Sequence, residues 1–196
     1  RETPAFFHGF YFDGGLLSFI KYLNDSDKKL QEEPFYVEKT AEGVQAEVAF
    51  MYNNEIETQE LSFANNIYTP DGGMHLTGFR TALTRTINDW ARTNNYIKDK
   101  DENLTGEDMR EGLVAVVSVK LRDPQFEGQT KNRLGSPEAR TAVEAITAEA
   151  LKNFMERNSR DAGKIVEKCL LSAKARKAAK AARETVLRKG VLDGLT

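Results

Sequence analysis

Cysteine and histidine are scarce in this chain of 196 residues. Cys169 is the only cysteine, so the chain can form neither an intramolecular disulfide nor a cysteine-based zinc cluster. His8 and His75 are the only histidines, which leaves little for a histidine metal site. We therefore expect no metal site in the chain and a reducing, cytoplasmic setting.

Long apolar runs are also missing. None approaches the roughly 20 residues that span a membrane, so we expect no membrane association. The first residues contain neither an initiator methionine nor the apolar core of a signal peptide, which suggests a piece of a longer protein. With 40% hydrophobic and 30% charged residues, the composition is that of an ordinary globular domain.

The common nucleotide-binding motifs are absent. There is no Gly-x-x-x-x-Gly-Lys-Ser/Thr loop and no Gly-x-Gly-x-x-Gly after a predicted strand. The nearest approach to a phosphate-binding segment is Gly128-Gln129-Thr130-Lys131. A lysine ammonium is a point-charge ligand for phosphate, and a glutamine amide can donate to a phosphate oxygen or hold a water. Taken alone, the same letters also fit an exposed polar loop with an incidental lysine.

The net charge of −2 conceals an uneven distribution. Residues 160–189 carry ten lysines and arginines against three acids, a net charge of +7, so the rest of the chain carries −9. Such asymmetry indicates a polyanionic partner, although lysine- and arginine-rich helices are also common as solvated faces. The segment contains no aromatic residue, which argues against stacking on single-stranded nucleic acid.

Hydrophobic patterns predict five strands. Residues 113–121 form a central strand buried on both faces, and the other four strands lie at residues 6–12, 35–39, 44–52 and 56–63. We expect the strands at 35–39, 44–52 and 56–63 to form an antiparallel meander. Residues 122–135 show no period and predict a long loop, a type of segment that is often functional.

Helices are predicted at residues 16–23 and 75–93, from Pro137 with Ser136 as its cap, and over residues 161–189 with Gly190 as its end. A helix-start pattern at residues 105–108 allows one further turn. The last helix would span about 45 Å. We therefore divide the chain into a body, residues 1–160, and a long basic C-terminal helix, residues 161–196.

Arg80 has an unusual position in the second predicted helix. Apolar residues from Leu76 to Trp90 recur at spacings of 3, 4, 4 and 3 and form one face. At about 100° per residue, Arg80 lies about 40° from Leu76, at the edge of that face. A guanidinium there must snorkel to solvent, pair with an acid or face a wet cavity.

Several long segments resemble one family. They are residues 10–15, 63–67, 71–80, 110–120 and 123–131, followed by the basic C-terminal helix. In this order they resemble the second, transducer domain of the ATPase subunits of bacterial type IIA topoisomerases, namely gyrase B and its close relative in topoisomerase IV. The resemblance runs from about residue 6 to about residue 194. Met74 stands where the family usually has threonine.

The resemblance implies an ATP-driven topoisomerase that passes one duplex through a break in another. It implies that Gln129 and Lys131 contact the γ-phosphate of ATP, which is held with Mg²⁺ mainly by a GHKL-type domain outside this chain. Lys131 would then act as a catalytic residue by stabilising developing charge. The resemblance also implies that Arg80 faces the captured duplex.

For the fold, the resemblance implies an α+β domain like one in a small-subunit ribosomal protein, with a mixed sheet packed on helices and a left-handed β-α-β crossover. The implied partners are double-stranded DNA, a gyrase A-type subunit and a second copy of the ATPase subunit. The chain alone is expected to be inactive, because it lacks the GHKL and TOPRIM motifs. A non-enzymatic duplex-binding module and the transducer of another GHKL protein remain the alternatives.

Overall fold

The computed structural model describes residues 13–24 and 29–193, with side chains described to residue 188. The strand predicted at residues 6–12 lies outside this part of the chain. In chain order the elements are α1 (Gly15–Leu23), β1 (Phe35–Ala41), β2 (Val44–Tyr52), β3 (Gln59–Ala64), β4 (Ile67–Tyr68), α2 (Met74–Thr93), β5 (Leu113–Lys120), β6 (Phe126–Glu127), β7 (Arg133–Leu134), α3 (Pro137–Arg157) and α4 (Ser159–Asp193).

A five-stranded mixed sheet, in the order β1-β2-β5-β3-β4, carries the fold. β1 and β2 form an antiparallel hairpin, β2 is antiparallel to β5, and β5 is parallel to β3. Five consecutive residues of β5, from Leu113 to Val117, are buried. The prediction of a central strand buried on both faces is therefore confirmed.

The predicted antiparallel meander is wrong at its third strand. β3 pairs with β5 rather than with β2, so that Leu61 lies opposite Val116. The physical reason is the composition of β5, whose run of valine and alanine is stable only with neighbours at both edges and cover on both faces. β5 therefore takes the place beside β2, and the backbone N–H of Asn53 donates to Gly112 at 2.9 Å instead of closing a hairpin.

A β-α-β crossover joins β3 to β5. The two strands are parallel neighbours, and the chain passes from one to the other through β4 and α2. The predicted crossover is therefore present, and its hand stays a prediction.

The main hydrophobic core lies between the sheet and the pair of helices α2 and α3. Phe50 of β2 stacks on Phe35 with ring centroids 4.7 Å apart and lies 6.0 Å from Phe79 of α2. α1 covers part of the opposite sheet face, where Ile20 is buried with Val116 in a smaller cluster. The α+β arrangement predicted from the sequence is thus confirmed, with helices on both faces of the sheet.

The start of α3 differs from its prediction in one detail. Pro137 begins the helix as expected, but the Ser136 side chain does not cap it. The buried Ser136 hydroxyl instead accepts a hydrogen bond from the backbone N–H of Gln125 at 2.9 Å. It therefore ties the start of α3 to the segment before β6.

The predicted single helical turn after Thr105 is replaced by turns over residues 106–112. The helix-start contacts are nevertheless present, because the Thr105 N–H donates to the Asp108 carboxylate at 2.8 Å and the Asp108 N–H lies 3.4 Å from the Thr105 hydroxyl. Gly112 ends the segment with φ +74°, and a Cβ there would lie 2.4 Å from the carbonyl oxygen of Asn53. This close backbone approach leaves no room for a continuing helix.

α4 is longer than predicted, with 35 residues from Ser159 to Asp193 and a length of about 52 Å. It passes through Gly190, so the prediction that Gly190 ends the helix is wrong, because a glycine inside a helix costs only about 1 kcal/mol. Its N-terminal half belongs to the core, where Val166 and Cys169 are fully buried. None of the described helices combines the length and the apolar character that crossing a bilayer requires.

Ion pairs fix α4 to the body. The Asp108 carboxylate accepts two hydrogen bonds from Arg176, at 2.8 and 2.9 Å. Burial alone would raise the pKa of Asp108, but the hydrogen bonds from Arg176 and Thr105 outweigh it and hold the pKa below its ordinary value. About two turns earlier on α4, Lys168 pairs with Glu111 at 3.2 Å. Both acids lie in or next to the turns that lead into β5.

His75 lies in the first turn of α2, as its position after Gly-Gly-Met predicted. Its ring is fully buried, and Nε2 lies 3.3 Å from the Thr69 hydroxyl. Nδ1 has no hydrogen-bond partner among the described residues. Burial lowers the pKa of His75 from 6.5 to about 4.

The crossing of α2 and α3 supplies a stability test. A Cβ at Gly78 would lie 2.4 Å from the carbonyl oxygen of Arg140, so Gly78→Ala must push the two helices apart. We expect the free energy of unfolding to fall by at least about 2 kcal/mol in urea denaturation. Gly106→Ala is the matched control, since its nearest neighbour lies at 3.6 Å, and its effect should stay within about 0.5 kcal/mol. Equal effects would contradict this account of the crossing.

The buried His75 predicts a pH dependence of stability. In the unfolded chain His75 binds a proton near pH 6.5, whereas the folded chain binds it only near pH 4. The free energy of unfolding should therefore fall as the pH drops through this window, by about 3 kcal/mol at most. Urea denaturation from pH 7 to pH 4 should show a smaller decline for His75→Gln than for the wild type. Identical declines would show that His75 titrates alike in both states.

Candidate functional site

Residues 122–135 form a small hairpin rather than the predicted irregular loop. β6 and β7 pair antiparallel, with Phe126 opposite Leu134, and residues 128–132 close the hairpin at its tip. Gly128 and Lys131 adopt left-handed backbone conformations, with φ of +78° and +55°. Strands of two residues are too short to show a period, which is why the sequence pattern missed them.

Gln129 and Lys131 lie at the exposed tip of this hairpin. Neither side chain forms a hydrogen bond or an ion pair with another described residue. The Lys131 ammonium lies 5.8 Å from the centroid of the Phe126 ring, within the range of a cation–π contact. The ammonium and the amide therefore stay available as donors to an anion that approaches the tip.

The hairpin is fixed to the start of α2 through backbone contacts. The Leu134 N–H donates to Gly72 at 3.1 Å, and the Asp71 N–H donates to Asn132 at 3.0 Å. Gly73 has φ +134°, and a Cβ there would lie 2.3 Å from the carbonyl oxygen of Leu134. Only glycine allows this approach, so the Asp-Gly-Gly segment has a packing reason beyond its turn.

Arg80 follows on the same helix, six residues beyond Met74 and thus about 9 Å along its axis. Its Nε donates to Oε1 of Glu60 at 3.0 Å, and Nη2 contacts the second carboxylate oxygen. This hydrogen bonding raises the pKa of Arg80. The Glu60 side chain is 8% exposed and that of Arg80 is 42% exposed. Of the three outcomes open to Arg80, the structure shows pairing with partial exposure.

Glu60 is the residue of this site that sequence reasoning missed. The period of two along β3 places Glu60 on the same face as Ser62 and Ala64, both of which are buried. A single carboxylate on a buried face indicates that a cation pairs with it, because an uncompensated buried charge is costly. Its partner, Arg80, lies 20 positions away on α2, so the pair can be identified only once the fold is known.

A groove with a volume of about 620 Å³ runs along α2 beside Arg80. Its lining from α2 is Thr77, Arg80, Thr81, Thr84, Arg85, Asn88 and Asp89. The three threonine hydroxyls donate to backbone carbonyls one turn earlier, at 2.8 to 3.0 Å. The guanidinium groups of Arg80 and Arg85 are therefore the cationic donors that α2 offers to this groove, Arg85 being paired with Glu144 at 3.2 Å, and Asp89 adds one carboxylate.

Some basic residues of α4 pair with acids, and others do not. Within the described chain, four of them pair with acids, namely Lys164 with Asp161, Lys168 with Glu111, Arg176 with Asp108 and Lys177 with Glu102. Further along, Lys180, Arg183 and Arg188 are exposed and have no acidic partner among the described residues. Much of the positive charge of α4 therefore serves its attachment to the body.

Within residues 13–24 and 29–193, no three His, Cys, Asp or Glu side chains come together in a way that could hold a metal ion.

The candidate site has two separate parts. One is the hairpin tip with Gln129 and Lys131, and the other is the groove with Arg80. The first turns of α2 connect them.

We compared the sequence and the structure of the chain with those of known proteins. The chain is 50% identical over 184 residues to the DNA gyrase B protein of Bacillus mycoides, an alignment that covers 94% of this chain and 46% of that protein. The 43K ATPase domain of Thermus thermophilus gyrase B, solved in complex with an aminocoumarin, matches with a TM-score of 0.80 at 44% identity. That match covers 88% of this chain and 46% of the solved chain.

The topoisomerase IV ATP-binding domain of Francisella tularensis matches with a TM-score of 0.72 at 27% identity, over 85% of this chain and 44% of that one. The chain therefore spans less than half the length of each of these relatives. The family model for DNA gyrase B matches residues 15–185, which is most of the chain. This chain belongs to the DNA gyrase B family.

Proposed function

We propose that the chain is the transducer domain of a bacterial ATP-dependent type IIA topoisomerase of the gyrase type, which couples ATP hydrolysis to the passage of DNA strands and to supercoiling. One observation carries the proposal beyond the family itself. The hairpin that exposes Gln129 and Lys131 is hydrogen-bonded to the start of the helix that carries Arg80. The transducers of topoisomerase IV and of other GHKL proteins are the nearest alternatives.

In this proposal Gln129 and Lys131 contact the γ-phosphate of ATP. The donor set fits, because an ammonium and an amide at an exposed tip suit an anionic oxygen. ATP, with its Mg²⁺, supplies the transferable phosphoryl group when it is bound in the neighbouring GHKL-type domain. Lys131 offsets the charge that develops on that group, and the left-handed backbone at Lys131 fixes where its side chain leaves the tip.

The attachment of the hairpin gives the phosphate contact a mechanical consequence. When Lys131 loses its phosphate partner, the tip is free to shift, and the backbone hydrogen bonds at Gly72 and Asn132 transmit the shift to the start of α2. Arg80 lies two turns along that helix and would face the captured duplex. A local change of charge at the tip is thereby converted into a movement at the groove.

The partners of the whole protein follow from the same proposal. They are double-stranded DNA, a gyrase A-type subunit and a second copy of the full-length gyrase B protein. Residues 1–160 would form the transducer body, and residues 161–196 a basic helix that leads towards a TOPRIM domain. The chain alone would be inactive, because the glutamate that activates water in this family lies in the GHKL domain.

A second candidate is a duplex-binding module without catalytic function. The exposed Lys180, Arg183 and Arg188 on the C-terminal half of α4 favour it, since cations without acidic partners are available to phosphates. The two candidates differ in what the chain does without its neighbours.

Replacing Lys131 tests the phosphate contact. Lys131→Ala in the full-length protein should lower the rate of ATP hydrolysis by about 10²- to 10³-fold, because a charge-stabilising donor is lost. Circular dichroism should stay unchanged, since the side chain is exposed. Lys152→Ala, an exposed lysine on α3, is the matched control and should hydrolyse ATP at the wild-type rate. Wild-type hydrolysis in Lys131→Ala would refute the assignment.

Salt-dependent DNA binding separates the two candidates. A transducer that needs its neighbours should bind a short duplex only weakly as the 196-residue chain, at about 0.15 M salt, where exposed charges are screened. Tight binding with a steep salt dependence, lost when Lys180, Arg183 and Arg188 are all replaced by alanine, would favour the duplex-binding module. Fluorescence anisotropy over a series of salt concentrations provides the measurement.

A further inference from the structure

The Glu60 carboxylate is nearly buried and is held by Arg80 alone. Its side chain is 8% exposed, and no other described residue donates a hydrogen bond to it. Its charge acts on the core, because it contributes, after burial and Cys169, to the raised pKa of the Tyr52 phenol. A carboxylate in this position requires a compensating cation.

The geometry of the pair leaves part of Arg80 free. Glu60 occupies the Nε and Nη2 edge of the guanidinium. An arginine offers five N–H donors, so the Nη1 edge keeps donors for a second ligand. Since the Arg80 side chain is 42% exposed and lines the groove, that edge can meet a phosphate there. The guanidinium cannot leave Glu60 for that phosphate without stranding a buried charge.

Two consequences follow for any duplex in the groove. Glu60 holds the guanidinium in one orientation, which favours contact at a defined place. Glu60 also offsets the positive charge of Arg80, which weakens the attraction to a phosphate. The pair as a whole is electrically neutral, although its exposed member is a cation.

We propose that Glu60 sets the strength with which the groove binds the phosphate backbone of duplex DNA, by holding Arg80 and offsetting its charge so that the contact is weak and readily reversed. This rests on the proposed function, in which Arg80 faces a duplex. A weak contact suits a groove through which a duplex must pass and then leave. In this assignment Glu60 is a positioning residue that acts through Arg80 and does not itself touch DNA.

Binding of a 20-base-pair duplex to the full-length protein tests the proposal. Glu60→Gln keeps the shape and removes the charge, and Glu60→Leu removes both the charge and the hydrogen bonds. Glu60→Gln should bind the duplex several-fold more tightly, with a salt slope steeper by up to about 0.9. The gain should therefore shrink about threefold between 50 and 200 mM salt. Adding Arg80→Ala to Glu60→Gln should abolish the gain.

A charge-matched control is available at Glu149, which pairs with Lys39 at 2.7 Å away from the groove. Glu149→Gln changes the net charge equally and should leave both affinity and salt slope unchanged. Thermal unfolding of each variant shows whether the fold is retained, and Glu60→Leu supplies the test if Glu60→Gln does not fold.

Each further outcome has a distinct meaning. If Arg80→Ala weakens binding but Glu60→Gln and Glu60→Leu do not strengthen it, Arg80 meets the duplex and the role of Glu60 is refuted. If neither Arg80→Ala nor the Glu60 variants change binding, Arg80 does not meet the duplex, and that part of the proposed function fails as well. A gain that Arg80→Ala does not abolish would also refute the proposal.

Discussion

The parallel pairing of β3 with β5 is the constraint on which the rest of the molecule depends. Because the two strands run in the same direction, their C-terminal ends lie at the same edge of the sheet. The chain leaves β3 towards the start of α2, and it leaves β5 towards the hairpin of β6 and β7. The pairing therefore brings two segments together that are some 60 positions apart in sequence, Gly72-Gly73 and Leu134. If β3 had paired with β5 in the antiparallel direction, the two segments would lie at opposite ends of the strands.

The contact between Gly73 and Leu134 fixes the two segments that the strand pairing brings together. Its backbone approaches Leu134 so closely that a side chain is excluded, and hydrogen bonds on both sides hold the two segments in register. Backbone contacts of this kind transmit displacement well, because they lack the rotameric freedom of side-chain contacts. The hairpin and the first turn of α2 are therefore linked directly through their backbones, which is the coupling that the proposed transducer role requires. α4 is attached separately, through buried apolar residues and through the ion pairs of Asp108 and Glu111.

Local patterns in the sequence predicted most elements but not their pairing. The bounds of α1, α2 and β5 followed from apolar periodicity and from runs of β-branched residues. The meander failed because residues 53–55 resemble a hairpin turn, whereas the choice of partner for β3 depends on β5, some 50 residues later. Helix geometry alone shows that Arg80 lies at the edge of an apolar face. Glu60 is not predicted as its partner, because the two residues lie on different elements that only the crossover brings together. The roles proposed for Gln129 and Lys131 rest on a resemblance, since nothing in their spacing separates a phosphate contact from an exposed loop.

Lys131 and Arg80 differ in the way that their proposed tasks require. Lys131 has no acidic partner among the described residues and contacts only an aromatic ring, so its full charge is available to a phosphate that arrives and departs with each ATP. Arg80 is paired with the nearly buried carboxylate of Glu60, which offsets most of its positive charge. A strong, transient contact needs an unpaired cation that a small anion can capture completely. A long polyanion makes many contacts at once, and release is fast only if each single contact is weak. The pairing of Arg80 with Glu60 meets that second requirement, and the isolation of Lys131 meets the first.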